Sequence, residues 1–257
     1  MKITVCELPN DFAVFESAWN QLVAHVSRQK SELVLLPEMP FSPWLAQDKE
    51  FDLRRWEEAV ENHERWISRL RELSPATVVS TRPTIDGDTR SNLGYFWEAG
   101  VGIQDVHAKY YLPDEEAFWE ASWYQRGDGS FSTVDTPKGK IGFLICTELW
   151  FNQHARRYGK QGVHFIVCPR ATPKPTADKW VVGGQTAAVV SGAYCLSSNL
   201  SGTTPEGGDF AGVGWIIEPE EGKILGLTSA EQPYLTLDVD LARAEKAKCT
   251  YPRYVLD

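Results

Sequence analysis

Apolar residues recur along this chain with two different spacings, which predicts a mixture of helices and strands. Helical spacing begins after Asn10 or Asp11, either of which can cap the first helix. Short continuous apolar runs, such as ELVLLP at Glu32–Pro37, predict buried strands. The predicted helices cover about 12–26, 49–73, 149–161, 178–191 and 241–246. The predicted strands are 2–8, 32–37, 75–82, 92–97, 100–107, 130–136, 140–146, 163–168, 193–198, 213–218, 223–227 and 234–239.

The order of these elements predicts an α/β protein with mixed sheets. Strands alternate with helices, but hairpins such as the one around Glu98–Gly100 join several neighbouring strands, which excludes an all-parallel barrel. The strands are too many for one comfortable open sheet, so we expect two packed sheets with helices outside, an αββα sandwich. No low-complexity tract or long linker divides the chain, which favours a single domain over residues 1–257.

Composition narrows the classes of function. The net charge is −9, from 26 basic and 35 acidic residues, and no basic stripe is present, so we expect no nucleic-acid partner. No signal peptide is visible, and no apolar run approaches the roughly 18 residues that span a bilayer, so we expect no membrane association. The five cysteines are odd in number and widely spaced, which suits free thiols in the cytoplasm.

Cofactor and metal motifs are also missing from the sequence. The lysines lack the glycine and Ser/Thr context of a phosphate-binding loop, and the GxG at Gly212–Gly214 has no third glycine. No His or Cys spacing fits zinc, and the acidic cluster Asp114–Glu116 is typical of a solvated loop. The sequence therefore predicts neither a cofactor nor a metal.

The segment Lys140–Phe151, KIGFLICTELWF, is the first candidate for catalytic chemistry. An apolar strand stops on Cys146, and a helix-like segment follows, so the thiol is expected at a helix N-terminus. Unpaired N–H groups and the helix dipole at that end favour a thiolate and can hold an oxyanion. The alternative is a cysteine that merely fills the core.

A thiol nucleophile needs a base and an electrophilic stabiliser. None of the five histidines fills the role of base well, although a place for His154 near the site stays open. Glu38 ends the buried run LVLLPE at a strand terminus, where partial desolvation raises basicity. Lys109 ends a third strand, in VHAKYYLP, and can hold a developing anion. The alternatives are a capping glutamate and a surface lysine.

These residues together resemble the Glu–Lys–Cys triad of the nitrilase superfamily, the carbon–nitrogen hydrolases. The resemblance rests on Glu38 in LLPEMPF, Lys109 in AKYYLPDE and Cys146 in GFLICTELWF, in that order and with matching flanks. Glu120, in FWEASWYQRGD, resembles the additional glutamate of the family. The resemblance covers nearly the whole chain, down to Cys249–Asp257.

The resemblance implies an αββα sandwich that pairs into a homodimer or higher homo-oligomer and a mechanism without metal or cofactor. Glu38 would accept the proton of Cys146, and the sulfur would attack the carbon of a small amide-type substrate. Lys109 and the backbone N–H of Thr147 would stabilise the oxyanion, while Glu120 would position Lys109. Departure of ammonia or an amine would produce a thioester on Cys146, which water would hydrolyse.

The flanks are most similar to the amidase and N-carbamoyl amidohydrolase branches. Many family members carry an aromatic residue directly after the cysteine and a proline a few residues later, whereas this chain has Thr147, Glu148 and Asn152. These departures leave the substrate open. The alternatives are a nitrilase, an acyltransferase that passes the same thioester to an amine, and a catalytically silent binding member.

A substrate pocket is expected beside the nucleophile. Aromatic side chains in loops that flank Glu38 and Glu120 could line it for a medium-sized, partly apolar acyl group, or they could pack loops and an oligomer interface. Arg170 could meet a substrate carboxylate or pair with an acidic residue. The predicted pocket residues are Phe41, Trp44, Trp119, Trp123, Glu148 and Arg170.

Overall fold

The computed structural model describes residues 1–203 and 209–255. Within these ranges it contains thirteen strands and six α-helices. The strands are β1 Lys2–Pro9, β2 Leu33–Leu35, β3 Thr77–Asp86, β4 Thr89–Glu98, β5 Gly102–Ala108, β6 Val134–Thr136, β7 Gly139–Phe143, β8 Phe165–Arg170, β9 Tyr194–Thr203, β10 Asp209–Ala211, β11 Trp215–Ile217, β12 Ile224–Leu227 and β13 Tyr234–Asp238. The helices are α1 Phe12–Gln29, α2 Leu53–Ile67, α3 Glu120–Trp123, α4 Asn152–Lys160, α5 Ala177–Ser191 and α6 Leu241–Ala247.

The strands form two mixed sheets that share β1. In the first sheet, β1, β2 and β3 are parallel, while β4, β5 and β13 pair with their neighbours antiparallel. In the second sheet, β7, β8 and β9 are parallel, and β6, β10, β11 and β12 are antiparallel additions. The end of β1, Glu7–Pro9, pairs with Asn199–Ser201 of β9 and joins the sheets. The predicted mixture of parallel strands and hairpins is confirmed.

Burial on both faces explains the continuous apolar runs. In β1, Ile3 and Val5 join the core between the sheets, whereas Cys6 and Leu8 join Trp19 of α1 on the outer face. Successive strand residues point to opposite faces, so a strand inside a layered fold is largely apolar on both faces. Helices α4 and α5 contribute to the core of the second sheet. The resulting helix–sheet–sheet–helix layering confirms the αββα prediction.

Helix boundaries differ from the predictions where local capping decides them. Helix α2 begins at Leu53, four residues later than predicted, because the Asp52 side chain accepts a hydrogen bond from the N–H of Arg54 (2.8 Å). It ends at Ile67, and a separate 3₁₀ turn covers Leu70–Leu73. Of the helices in residues 1–203 and 209–255, none is long and apolar enough to cross a membrane.

Other differences arise at strand ends. The segment after the candidate nucleophile is a 3₁₀ helix, Cys146–Trp150, followed by α4, rather than one continuous helix from residue 149. Strand β9 runs five residues beyond its predicted end, and β10 was not predicted. Both additions lie where β9 pairs with β10, so long-range pairing rather than local composition defines them. The last two residues of the C-terminal segment Cys249–Asp257 lie outside the described ranges.

Candidate active site

Strand ends bring the predicted catalytic residues to one region. Lys109 directly follows β5, and Glu38 and Cys146 each lie three residues beyond the ends of β2 and β7. The N–H of Glu38 donates to the carbonyl of Arg170 at the end of β8 (3.3 Å), which ties the two sheets together here. Ligand sites of α/β folds gather at the carboxyl ends of strands, and this arrangement follows that rule.

Lys109 lies between two carboxylates. Its Nζ donates to Glu38 Oε1 (2.8 Å) and Glu120 Oε2 (2.5 Å), and all three side chains are at most 1% exposed. Asn92 Nδ2 donates to Glu38 Oε1 (2.7 Å), and the hydroxyl of Tyr124 donates to Glu120 Oε2. We call Lys109, Glu38 and Glu120 the Lys109 cluster. Such buried charges are tolerated only when they are paired and hydrogen-bonded, as here.

Mutual charge shifts the titration of this cluster. Burial alone would lower the pKa of Lys109, but the charges of Glu120 and Glu38 outweigh it and hold the pKa well above its usual value. Burial raises the pKa of Glu120 to about 7, against the opposing effect of the Lys109 ammonium. The ammonium is therefore permanently charged near neutral pH, while Glu120 changes its charge there.

Each carboxylate of the cluster keeps one oxygen free. Among the described residues, Glu38 Oε2 and Glu120 Oε1 are buried without a hydrogen-bond partner. Buried polar atoms are almost always paired, so an unpaired carboxylate oxygen indicates a functional acceptor. The cluster thus offers two acceptors, one of which can receive the proton of a neighbouring thiol.

Cys146 occupies a strained turn beside this cluster. It is 3% exposed, and its φ of +48° lies in the left-handed region, which costs a non-glycine residue about 1–3 kcal/mol and is typical of functional sites. It begins the 3₁₀ helix, so the N–H of Thr147 in the first turn has no acceptor within the helix. Thr147 and Cys146 line the same cavity.

The surroundings of Cys146 disfavour a resting thiolate. Burial raises the pKa of the Cys146 thiol well above its ordinary value, the charge of Glu38 raises it further, and the Lys109 ammonium opposes them. The thiol is therefore neutral at rest, and its proton must be removed as the sulfur reacts. The charges of Glu38, Lys109 and Glu120 all shift the pKa of the Cys146 thiol, so these groups lie close enough to act on its sulfur.

The cavity in front of Cys146 has a volume of about 470 Å³ and reaches Glu120. Aromatic side chains form part of its wall, and exposed charged side chains lie at its mouth. The aromatic residues that line it are Tyr111, Phe118, Trp150, Phe151 and Trp180, and the charged ones at the mouth are Asp114, Glu115, Arg126 and Lys179. This size and composition suit a small organic molecule.

The aromatic residues predicted for the pocket do not line this cavity, so that prediction is wrong. Phe41 is fully buried against Trp19 of α1, in the core outside the first sheet. The indoles of Trp44 and Trp123 donate to backbone carbonyls of loops, and Trp119 lies under the ammonium of Lys49. These rings pack loops together, which is the alternative that the sequence also allowed.

The polar residues predicted for the pocket are also placed elsewhere. Arg170 is fully buried and donates to Ser197 Oγ (2.7 Å), Thr172 Oγ1 (2.7 Å) and the carbonyl of Val213 (2.6 Å). Glu148 is fully buried and accepts from neighbouring backbone and side-chain donors. Neither faces the cavity, because each is consumed by internal hydrogen bonds, so their assignment as pocket residues is wrong.

Several contributors were missed in the sequence. Asn92 and Tyr124 orient the two carboxylates, and the only local signal was the i, i+4 spacing of Tyr124 from Glu120. His154, whose role stayed open, hydrogen-bonds the hydroxyl of Tyr111 (3.0 Å) behind the cavity wall. Of the described residues, no group of three His, Cys, Asp or Glu could hold a metal ion.

Comparison with known proteins shows the family of this chain. The model of the carbon-nitrogen hydrolase family matches residues 2–248. N-carbamoylputrescine amidase of Arabidopsis thaliana is 22% identical over 175 residues, 66% of this chain and 58% of the relative. Omega-amidase of Mus musculus is 29% identical over 147 residues, 55% of this chain and 51% of the relative. The match thus spans only a little over half the length of these relatives.

A solved structure extends the match in three dimensions. The carbon-nitrogen hydrolase from Helicobacter pylori G27 superposes with a TM-score of 0.88 at 19% identity, over 98% of this chain and 94% of that one. At this identity the likeness concerns the fold, which it supports as nitrilase-like. Because the family model covers nearly the full length, this chain belongs to the carbon-nitrogen hydrolase family.

Proposed function

We propose that this protein hydrolyses a non-peptide C–N bond of an amide or N-carbamoyl compound through a thioester on Cys146. The observation that carries the proposal is the Lys109 cluster beside a buried, neutral thiol in a partly aromatic cavity. Family membership and the amidases among the relatives support a hydrolase of this type. The cavity volume suits a medium-sized, partly apolar acyl group.

The reaction begins with proton transfer. The unpaired Oε2 of Glu38 accepts the thiol proton while the sulfur of Cys146 attacks the carbonyl carbon. The carbonyl oxygen becomes an anion that the Lys109 ammonium and the N–H of Thr147 stabilise. Collapse of the intermediate expels ammonia or an amine, which takes the proton back from Glu38, and leaves an acyl group on sulfur.

Hydrolysis of the thioester completes the cycle. Glu38, again ionised, takes a proton from a water molecule that attacks the acyl carbon, and the same donors hold the second oxyanion. Release of the acid returns the proton to the sulfur. Glu120 keeps Lys109 in place throughout, because its Oε2 accepts one of the ammonium hydrogen bonds (2.5 Å).

A substrate panel tests the proposal. Amides, N-carbamoyl compounds and nitriles of similar size are incubated with the protein, and ammonia and acid are quantified. We expect ammonia and acid from amides or N-carbamoyl compounds. Turnover of nitriles alone would identify a nitrilase instead, and product diverted by added amines would identify an acyltransferase. No turnover of any compound would support a binding member without catalysis.

The pH profile is expected to fall on the acidic side. The pKa of Glu120 is about 7, so this carboxyl becomes neutral as the pH drops below that value and no longer holds Lys109 by charge. Ammonia release should therefore fall as the pH falls through about 7. This acidic limb of the pH profile belongs to the coupled Lys109 cluster rather than to one residue. The measurement is kcat from pH 5 to 9, and Glu120→Gln should remove or displace the limb. A flat profile in the wild type would contradict this.

A backbone contact predicts a second effect. A Cβ added at Gly127 would lie 2.3 Å from the carbonyl oxygen of Ala108, and the N–H of Gly127 donates to the carbonyl of Lys109 (2.9 Å). Gly127→Ala must therefore displace the strand end that carries Lys109, and a misplacement of about 1 Å can cost about 100-fold in rate. We expect kcat to fall by that order. Gly226→Ala is the control for a glycine substitution, because its added Cβ would lie 2.7 Å from a methyl carbon of the flexible Leu235 side chain, away from the cavity.

We further propose that copies of this chain form a homodimer or larger homo-oligomer in the cytoplasm. Support comes from large apolar side chains on the surface, since Val182, Tyr251 and Tyr254 are 59%, 73% and 61% exposed. The five cysteines are free, which suits a reducing compartment. Light scattering on the purified protein tests the assembly, and a monomer at micromolar concentration would contradict it.

A further inference from the structure

We propose that the buried pair His107–Glu148 is a charged clamp that holds the strand end carrying Lys109 against the turn carrying Cys146, and so acts as a positioning element for the reaction. The proposal rests on the proposed function, because it concerns the same thiol. Neither residue lines the cavity, and both side chains are at most 1% exposed. The pair therefore acts through the residues it connects.

The connections are direct. Glu148 Oε1 accepts from the N–H of Tyr110 (2.7 Å), the residue after Lys109, and Glu148 Oε2 accepts from the N–H of Ile145 (2.8 Å), the residue before Cys146. His107 Nε2 contacts both carboxylate oxygens, at 3.0 and 2.8 Å. One carboxylate thus fixes the backbone on both sides of the reacting groups, within one residue of each.

Hydrogen-bond chemistry dictates the charge of the pair. His107 Nδ1 lies 3.0 Å from the carbonyl oxygen of Ser130, which can only accept, so this nitrogen carries a proton. Nε2 faces the two oxygens of Glu148, each of which already accepts a backbone N–H, so both act as acceptors toward the ring. Nε2 must then donate as well. His107 is therefore an imidazolium, and the clamp is a buried ion pair.

Other titratable groups surround the pair from several elements. These groups are Asp128 on a loop, and His154 and Tyr158 on α4. The ring of Phe131, which does not titrate, packs against the imidazole. Burial alone would lower the pKa of His107, but the charge and hydrogen bond of Glu148 outweigh it and raise the pKa. Because the folded pKa is raised, the clamp is complete below the ordinary pKa of histidine and is lost as the pH rises through the folded value.

Alkylation of Cys146 tests the positioning. Cys249 is exposed and would compete for the reagent, whereas the remaining cysteines are buried, so the experiments use Cys249→Ser as background. Glu148→Gln and His107→Gln are each compared with this background by intact-mass measurement of iodoacetamide labelling at pH 7. We expect both variants to label Cys146 about 10- to 100-fold more slowly and to lose kcat by a similar factor with little change in KM. At alkaline pH, His107 loses its charge in the Cys249→Ser background as well. The labelling rates of the background and of the His107→Gln variant should therefore become equal.

The matched control is Glu218→Gln. Glu218 is also a fully buried carboxylate that accepts backbone N–H groups, from Glu220 (3.0 Å), Glu221 (2.6 Å) and Lys223 (3.1 Å), and it pairs with a cation, Arg243. It lies outside the Cys146 cavity. We expect this variant to label and turn over like the background. Equal losses in Glu218→Gln and Glu148→Gln, or none in either, would overturn the clamp.

A measurement on the unsubstituted protein covers the case in which the variants do not fold. In a long-range ¹H–¹⁵N spectrum at pH 7, we expect both ring nitrogens of His107 at shifts of a protonated imidazolium. A neutral ring would overturn the proposal.

If the unsubstituted protein releases no ammonia from any amide while the imidazolium and the labelling differences are found, the proposed function fails and the clamp stands. Normal turnover with unchanged variants would remove the clamp alone.

Discussion

Cys146→Ser is expected to lower the rate of ammonia release by about 10⁴-fold or more, with the thermal unfolding midpoint nearly unchanged. Serine fits the same strained turn, so the fold should persist. Its hydroxyl, however, holds its proton much more tightly than a thiol does and is a far poorer nucleophile beside a carboxylate. The measurement is kcat on the best amide of the panel, together with thermal unfolding.

Cys195→Ser is the control for a buried cysteine. Cys195 is fully buried, and its sulfur accepts a hydrogen bond from the indole of Trp215 (3.4 Å), a role that a hydroxyl can take over. We expect this variant to keep its turnover. A Cys146→Ser variant that keeps more than about one hundredth of the normal kcat would contradict the role of Cys146 as the nucleophile.

Lys109→Met is expected to lower kcat by about 100- to 1000-fold, the loss typical of one oxyanion donor. It should also reduce the free energy of unfolding by about 3–5 kcal/mol, because two buried carboxylates lose their shared cation. The two effects can be separated. Adding Glu120→Gln to Lys109→Met removes one uncompensated charge, so the double variant should recover stability but not activity.

Steady-state kinetics and chemical denaturation of the single and double variants make this measurement. A Lys109→Met variant with normal kcat would contradict the oxyanion role. Recovery of activity together with stability in the double variant would show that Lys109 serves the fold and not the reaction.

The candidate catalytic residues could be located in the sequence because local signals mark them. Glu38, Lys109 and Cys146 each follow an apolar strand, and a strand end is a property of a few neighbouring residues. The layering could be predicted for the same reason, since continuous apolar runs indicate strands that are buried on both faces. Capping likewise fixes a boundary locally, since the Asp52 cap starts α2 at Leu53, whereas the spacing of apolar residues alone predicts a start near residue 49.

The cavity wall could not be predicted, because a loop has no fixed period that tells which side a residue faces. Phe41 follows Glu38 by three residues, yet its ring packs against α1, which is distant in sequence. Trp150 and Trp180 line the cavity instead, brought together by the contact of the 3₁₀ helix with α5. Only the packed tertiary structure determines such choices.

The charge states of buried groups also could not be predicted from the sequence. The helix-like segment after Cys146 indicated a thiolate, but burial and the charge of Glu38 dominate and keep the thiol neutral. Glu148 and His107, separated by 41 residues, form an ion pair that no local pattern announced. The single domain, the oligomer and the compartment remain predictions.

Acyl-enzyme trapping determines whether the Lys109 cluster drives formation of a thioester on Cys146. The Cys249→Ser protein is mixed with a slow amide substrate, quenched in acid after milliseconds to seconds, and analysed by intact mass and peptide mapping. We expect one acyl group, on the peptide that contains Cys146, and we expect it to form far more slowly when Glu38→Gln is added. Ammonia release without an acyl group on Cys146, or equal rates of acylation with and without Glu38→Gln, would contradict it.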